Sequence, residues 1–130
     1  MSEPTIIFSY NWNNKLSGKA FTTIRLKNFR FREEETYEIY LRKGKEGFAF
    51  LCHASIVAIR DFTLDDLSEY MALLDTGYYS RECKEIIRNM YSRYHLDWDR
   101  QLLSFILLKK SESVKHKSAI ETLEFVGEPE

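Results

Sequence analysis

The stretch that most limits the fold is residues 48–62, FAFLCHASIVAIRDF. It is too long and too apolar for a strand with one face in water, so it belongs at the centre of a sheet or barrel. The segments around it read as its neighbours. TYEIYLRK at 36–43 alternates as a half-buried strand does, and GKEG at 44–47 is a turn signal between the two. AFTTIRL at 20–26 is rich in β-branched and aromatic residues and reads as a strand. QLLSFILLKK at 101–110 reads as a last buried strand, and TIIFSYNW at 5–12 opens with a run suited to a short one.

Between and after these lie the helical signals. NWNNKLSG at 11–18 suits one or two helical turns ending at Gly18, and KNFRFREEE at 27–35 is a polar connection. TLDDLSEYMALLD at 63–75 predicts a helix with Thr63 as N-cap, Asp66 three residues on, and a stripe of Leu64, Leu67, Met71 and Leu74. Gly77 ends it. SRECKEIIRNMYSRY at 80–94 predicts a second helix capped by Ser80, with a stripe of Cys83, Ile86, Ile87, Met90, Tyr91 and Tyr94. HLDWDR at 95–100 is a loop. The order is β, short α, three β, two α and β. Adjoining strands outnumber helices, which predicts an α+β fold: a small mixed or antiparallel β-barrel with two or three helices at its side.

One domain over residues 1–110 accounts for the chain, and 44% hydrophobic and 15% aromatic residues are enough for a core. Residues 111–130 differ in kind. They are polar with a weak apolar patch at 120–126, and are expected to form a peripheral element or a flexible end. No apolar run reaches the roughly 18 residues of a membrane helix, and the N-terminus lacks the basic start and apolar stretch of a signal peptide. Cys52 and Cys83 are widely separated and are read as reduced thiols in a cytoplasmic protein.

Net charge is −1, which argues against strong nonspecific nucleic-acid binding, but the charges are unevenly placed. Residues 1–32 hold six basic side chains against Glu3 alone. Such asymmetry can mark a face that meets phosphates, or a strand and loop neutralised by the acidic run that follows.

The chemistry concentrates after Gly18. Along a strand over 20–26, Phe21, Thr23 and Arg25 share one face and Thr22, Ile24 and Leu26 the other. A hydroxyl and a guanidinium beside a glycine turn suit a phosphate or a base edge. Trp12 and Tyr10 before the turn, and Tyr78 and Tyr79 after Gly77, are candidates for base stacking; each also suits packing. Lys15, Lys19 and Lys27 extend the basic character. No metal is expected: His53 and Cys52 point to opposite strand faces, and His95 and His116 have no ligand spacing. Asp97, Trp98 and Asp99 read as a solvated turn. No cofactor motif and no glycine-rich phosphate loop occurs.

The pattern F-x3-W-x3-L-x-G-K-x-x-T-T-I-R, followed by a strand, a central strand, TLDDL, a glycine-containing loop, the EIIRNMY helix and a closing strand, resembles the ASCH domain family. Within that family it is similar to small bacterial amidohydrolases that deacetylate acetylcytidine. The similarity spans about residues 6–109 and implies a PUA-like barrel associated with RNA. By position it implies that the family's catalytic threonine is Thr23 and its carboxylate Asp75. The family's lysine position is Ala20, with Lys19 one residue earlier as the stand-in. Three functions follow. The preferred one is a module that binds RNA or a nucleoside or nucleotide in a cleft lined by Gly18–Arg25, with Trp12, Lys15, Gly18, Arg25, Lys27, Tyr78 and Tyr79 as binding residues. The second is an amidohydrolase acting through Thr23, Asp75 and Lys19. The third is a non-catalytic protein adaptor on the same fold.

Overall fold

A computed structural model describes residues 4–111. Strand β4 (Phe48–Thr63) runs through the middle of a single five-stranded sheet with β1 (Thr5–Phe8), β2 (Ala20–Leu26), β3 (Thr36–Arg42) and β5 (Leu102–Lys110), in the order β1-β3-β4-β5-β2. The expected central strand is central in strand order, but it is not buried on both faces: Phe48, Phe50, Leu51 and Val57 are exposed, and only Ala54, Ile56 and Phe62 are buried. Its first half pairs antiparallel with β3, from Phe48 opposite Arg42 to Ser55 opposite Thr36. Its second half pairs antiparallel with β5, from Ala54 opposite Lys110 to Thr63 opposite Leu102. Only β1 and β3 run parallel.

Two irregularities bend the long strand. Cys52 lies opposite Ile39 and Phe50 opposite Tyr40, which leaves Leu51 as an extra residue. Ile56 lies opposite Leu108 and Ala58 opposite Leu107, which leaves Val57 extra. An extra residue kinks a strand and raises its twist. Both extra side chains point outward, 40% and 51% exposed, so the bends turn the sheet about its inner face.

The result is an α+β fold with a curled mixed sheet, half of a barrel. Among the described residues the edge strands β1 and β2 do not pair with each other. Arginine side chains bridge the β1 side instead: Arg25 Nη2 of β2 donates to Ile7 O at 2.8 Å, and Arg30 Nη1 donates to Thr5 O at 2.8 Å.

The core lies on both sides of β2. Phe21 joins Ile6, Phe8, Tyr37, Ile39, Ile56, Ile106 and Leu108 inside the curl. Ile24 joins Phe62, Leu64, Leu67, Ala72, Cys83, Ile87 and Leu103 beneath the helices. The alternation read from AFTTIRL thus sorts its apolar residues between two clusters, and four consecutive residues of β2, Phe21 to Ile24, are buried.

Helices α1 (Glu69–Thr76) and α2 (Ser80–Met90) are shorter than expected. Thr63 stands at the N-cap position of a 3-10 turn rather than of the helix, and its hydroxyl donates to Asp66 Oδ2 at 3.3 Å instead of accepting a backbone N–H. It ends β4, a 3-10 turn follows over Leu64–Asp66, and α1 is capped by Ser68, whose Oγ accepts from Met71 N at 3.2 Å. The later start rotates the inward face to Ala72, Asp75 and Thr76, and leaves Leu74 57% exposed. Ser80 is the first residue of α2 rather than its cap. Its backbone N and Oγ donate to the two carboxylate oxygens of Glu69, both at 2.8 Å, fixing the start of α2 against α1. The turn over Trp12–Ser17 is 3-10 rather than α, broken by Asn13 and Asn14 in the left-handed region that asparagine tolerates.

Cys52 and Cys83 are free thiols. No helix among the described residues is long and apolar enough to cross a membrane. The expected tail beyond Ser111 lies outside the described residues.

Tyr37 anchors the long connection between β2 and β3. Fully buried, its hydroxyl donates to Arg30 O at 2.6 Å and accepts from Arg32 N at 2.8 Å. Tyr37→Phe strands a backbone donor and acceptor that the fold partly shields. The expected loss is about 1–3 kcal/mol in chemical denaturation; an unchanged midpoint would show that water replaces the hydroxyl.

Candidate functional site

At the mouth between β1 and β2, against the inner side of α1 and α2, lies a cavity of about 260 Å³. Five elements shape it. The end of β1 brings Phe8, the following turn brings Trp12 and Lys15, β2 brings Thr23 and Arg25, α1 brings Asp75, and α2 brings Met90 with Tyr91 just past its end.

Its floor is a buried ion pair. Lys15 Nζ lies 2.7 Å from Asp75 Oδ1, with both side chains under a tenth exposed. Thr22 Oγ1 donates to the same oxygen at 2.9 Å. Asp75 sits in the last turn of α1, where the negative end of the helix dipole opposes a carboxylate. A cation and a hydroxyl on one of its oxygens offset that. Burial pushes the Lys15 ammonium down from its ordinary pKa, and the adjacent Asp75 works against the shift.

Local chemistry fixes where Asp75 stands. Gly77 closes α1 with φ +82, and its N donates to Leu73 O at 3.0 Å, a left-handed cap that glycine adopts without strain. A side chain there would meet Asn13 Oδ1 at 3.1 Å. Asn13 in turn donates to Leu73 O at 3.4 Å. The end of α1 and the turn that carries Lys15 are therefore packed directly on each other.

Arg25 forms the second polar group. Its Nε donates to Thr23 Oγ1 at 3.0 Å, its Nη2 donates to Ile7 O, and its guanidinium lies 4.9 Å from the centre of the Phe8 ring. Lys15 Nζ lies 5.5 Å from the centre of the same ring, so two cations lie against one aromatic ring. Burial lowers the Arg25 pKa to about 10, and it pushes the Tyr91 phenol up despite the nearby Arg25.

The third part is aromatic. The Trp12 ring makes edge contacts with Tyr10 at 4.7 Å and with Tyr78 at 6.2 Å. Trp12 and Tyr10 line the cavity, and Tyr78 backs Trp12 from behind.

The structure gathers Thr23, Asp75, Trp12, Lys15 and Arg25 into one cavity, with Tyr78 against its aromatic wall. Four other sequence candidates stand apart. Lys19 is exposed and does not line the cavity, because the chain enters β2 at Ala20 and the lysine precedes the strand. Gly18 is likewise outside it. Lys27 pairs with Asp61 and lies over Phe29. Tyr79 precedes α2 and is 66% exposed. The lysine that meets the carboxylate is Lys15, from the turn before the glycine. Sequence reasoning also missed Thr22, which lies opposite Thr23 in the alternation yet is the threonine that bonds Asp75. Its residue type was visible; its partner, 53 residues away, was not. Among the described residues no cluster of histidine, cysteine and carboxylates could hold a metal ion.

Removing one partner of a buried pair leaves the other charge uncompensated. Asp75→Asn is expected to cost about 3 kcal/mol in urea unfolding. Adding Lys15→Met removes the stranded ammonium, and the double variant is expected to recover a good part of that loss. A double variant as unstable as the sum of the singles would mean that the two side chains act independently.

No family model, curated protein or solved structure matches the chain.

Proposed function

We propose that this cavity binds a nucleoside-type ligand, with its base against Trp12 and its polar edge toward Thr23, Arg25 and the Lys15–Asp75 pair. The observation that carries this reading is one enclosure with an aromatic wall and a polar floor holding both donors and acceptors. A nucleobase offers the matching surfaces, a π-face for the ring and a mixed hydrogen-bonding edge for the floor. The volume lies just below the range of about 300–1,000 Å³ typical of pockets for drug-sized ligands, which favours a single nucleoside over a length of strand. The resemblance of residues 6–109 to ASCH domains, with their PUA-like barrel and RNA association, supports the same ligand class.

The amidohydrolase reading has its own supporting observation: Thr23, Lys15 and Asp75 line one cavity although Ala20 occupies the lysine position of that family. In such a reaction Thr23 Oγ1 adds to the acyl carbonyl and Lys15 takes the hydroxyl proton. The amine then leaves with a proton, and water cleaves the threonyl ester. The ion pair weighs against it. A base must be unprotonated and free to take a proton; burial lowers the Lys15 pKa, but its Nζ is held at 2.7 Å by Asp75, which works against that shift and occupies the amine.

Trp12 fluorescence, read in a Trp98→Phe background, tests the binding reading. Nucleosides are expected to quench it with saturation, and Trp12→Ala is expected to weaken calorimetric affinity by about ten-fold or more, the scale of one stacked base. Nucleosides that give neither quenching nor heat at millimolar concentration would rule the reading out. Acetylcytidine turnover separates the two functions. The binding reading expects none; turnover abolished by Thr23→Val would establish the enzyme.

A further inference from the structure

Charge within the cavity does not balance. Asp75 is committed to Lys15 and Thr22, and that pair is neutral as a whole. Arg25 is the remaining cation. Its hydrogen-bond partners are both neutral, the Thr23 hydroxyl and the Ile7 carbonyl, and no carboxylate among the described residues lies within ion-pair distance of it. The guanidinium has five N–H groups, and Nη1 has no protein acceptor among the described residues. Nε and Nη2 are tied to β2 and β1, so the plane of the fork is fixed before any ligand arrives. Thr23 is placed to help. Its oxygen accepts from Arg25, and a hydroxyl that accepts can still donate its own proton.

A half-buried arginine held rigid at a cavity wall, with no carboxylate at ion-pair distance, is complementary to an oxyanion. We infer that Arg25, with the Thr23 hydroxyl, forms an anion subsite in this cavity, so that its ligand is a nucleoside monophosphate rather than a neutral nucleoside. The nucleoside part of this statement rests on the reading above; the anion subsite rests on Arg25 alone. Surface lysines such as Lys19 and Lys27 take no part, since the first is outside the cavity and the second is paired with Asp61.

Calorimetry at low salt with cytidine, adenosine, their 5′-monophosphates and inorganic phosphate tests it on the full chain. Each monophosphate is expected to bind at least about ten-fold more tightly than its nucleoside, the scale of one charge-assisted contact. In Arg25→Gln that gap is expected to close to within about two-fold, and in Arg25→Lys, which keeps the charge but loses the fork, to narrow only in part. Should Arg25→Gln fail to fold, the wild-type gap and Arg25→Lys still decide. Equal binding of nucleoside and monophosphate by the wild type would overturn the anion subsite and leave the nucleoside reading standing. Phosphate binding that depends on Arg25, without any binding of nucleosides or their monophosphates, would keep the subsite and overturn the nucleoside reading. No binding of any of the probes would overturn both.

Discussion

A lysine and an aspartate 60 residues apart meet in the interior, and the rest of the site takes its position from that contact. Lys15 belongs to a 3-10 turn that two left-handed asparagines distort. Asp75 belongs to the last turn of a short helix. Neither piece of backbone is a strong structure former by itself. What holds them together is the cost of burying either charge without the other, together with the packing of Gly77 on Asn13. Thr22 adds β2 to the same oxygen. Turn, helix and strand are thereby held at one point, and the cavity is the space left beside it.

The sheet explains why space is left at all. A fully closed barrel would pair β1 with β2 and fill the mouth with backbone hydrogen bonds. Here the two extra residues in β4 curl the sheet without closing it, and Arg25 reaches across to β1 with a side chain. An edge bridged by a side chain satisfies backbone carbonyls while leaving room for a ligand among the same atoms. The bridge is also why Arg25 is held at the cavity wall without an acid: its geometry is set by a carbonyl and a hydroxyl, both neutral.

Much of the fold could be read from residue pattern. The two sides of AFTTIRL followed from period-two alternation. Residues 48–62 do take the middle of the sheet, but not for the reason their apolar length suggested: Phe48, Phe50, Leu51 and Val57 stand exposed, and only Ala54, Ile56 and Phe62 are buried. What could not be read depended on competition or distance. Thr63 and Asp66 mimic a capping box, but β4 continues through Thr63 and Ser68 takes the cap; the consequence is that Asp75, rather than Leu74, faces inward. The two extra residues in β4 leave no mark in sequence, because Leu51 and Val57 fit a strand as well as their neighbours do. Of the site, Thr23, Arg25, Trp12, Lys15 and Asp75 were visible as residue types. The pairing of Lys15 with Asp75, and of Thr22 with the same oxygen, was not, since local pattern carries no information on which distant side chains meet. Lys19 drew notice because it adjoins the glycine, yet the strand begins one residue after it.

The central claim is that Trp12, Thr23 and Arg25 receive one ligand together around the Lys15–Asp75 floor. A ¹H–¹⁵N NMR titration of the labelled chain with the four ribonucleoside 5′-monophosphates tests it most directly. The account predicts that at least one of them shifts the Trp12 indole N–H, the Arg25 Nε–H and the Thr23 amide in a single saturable event, with the Trp98 indole unmoved. Shifts confined to exposed lysines such as Lys19 and Lys27, or a cavity whose signals stay in place with all four, would contradict it.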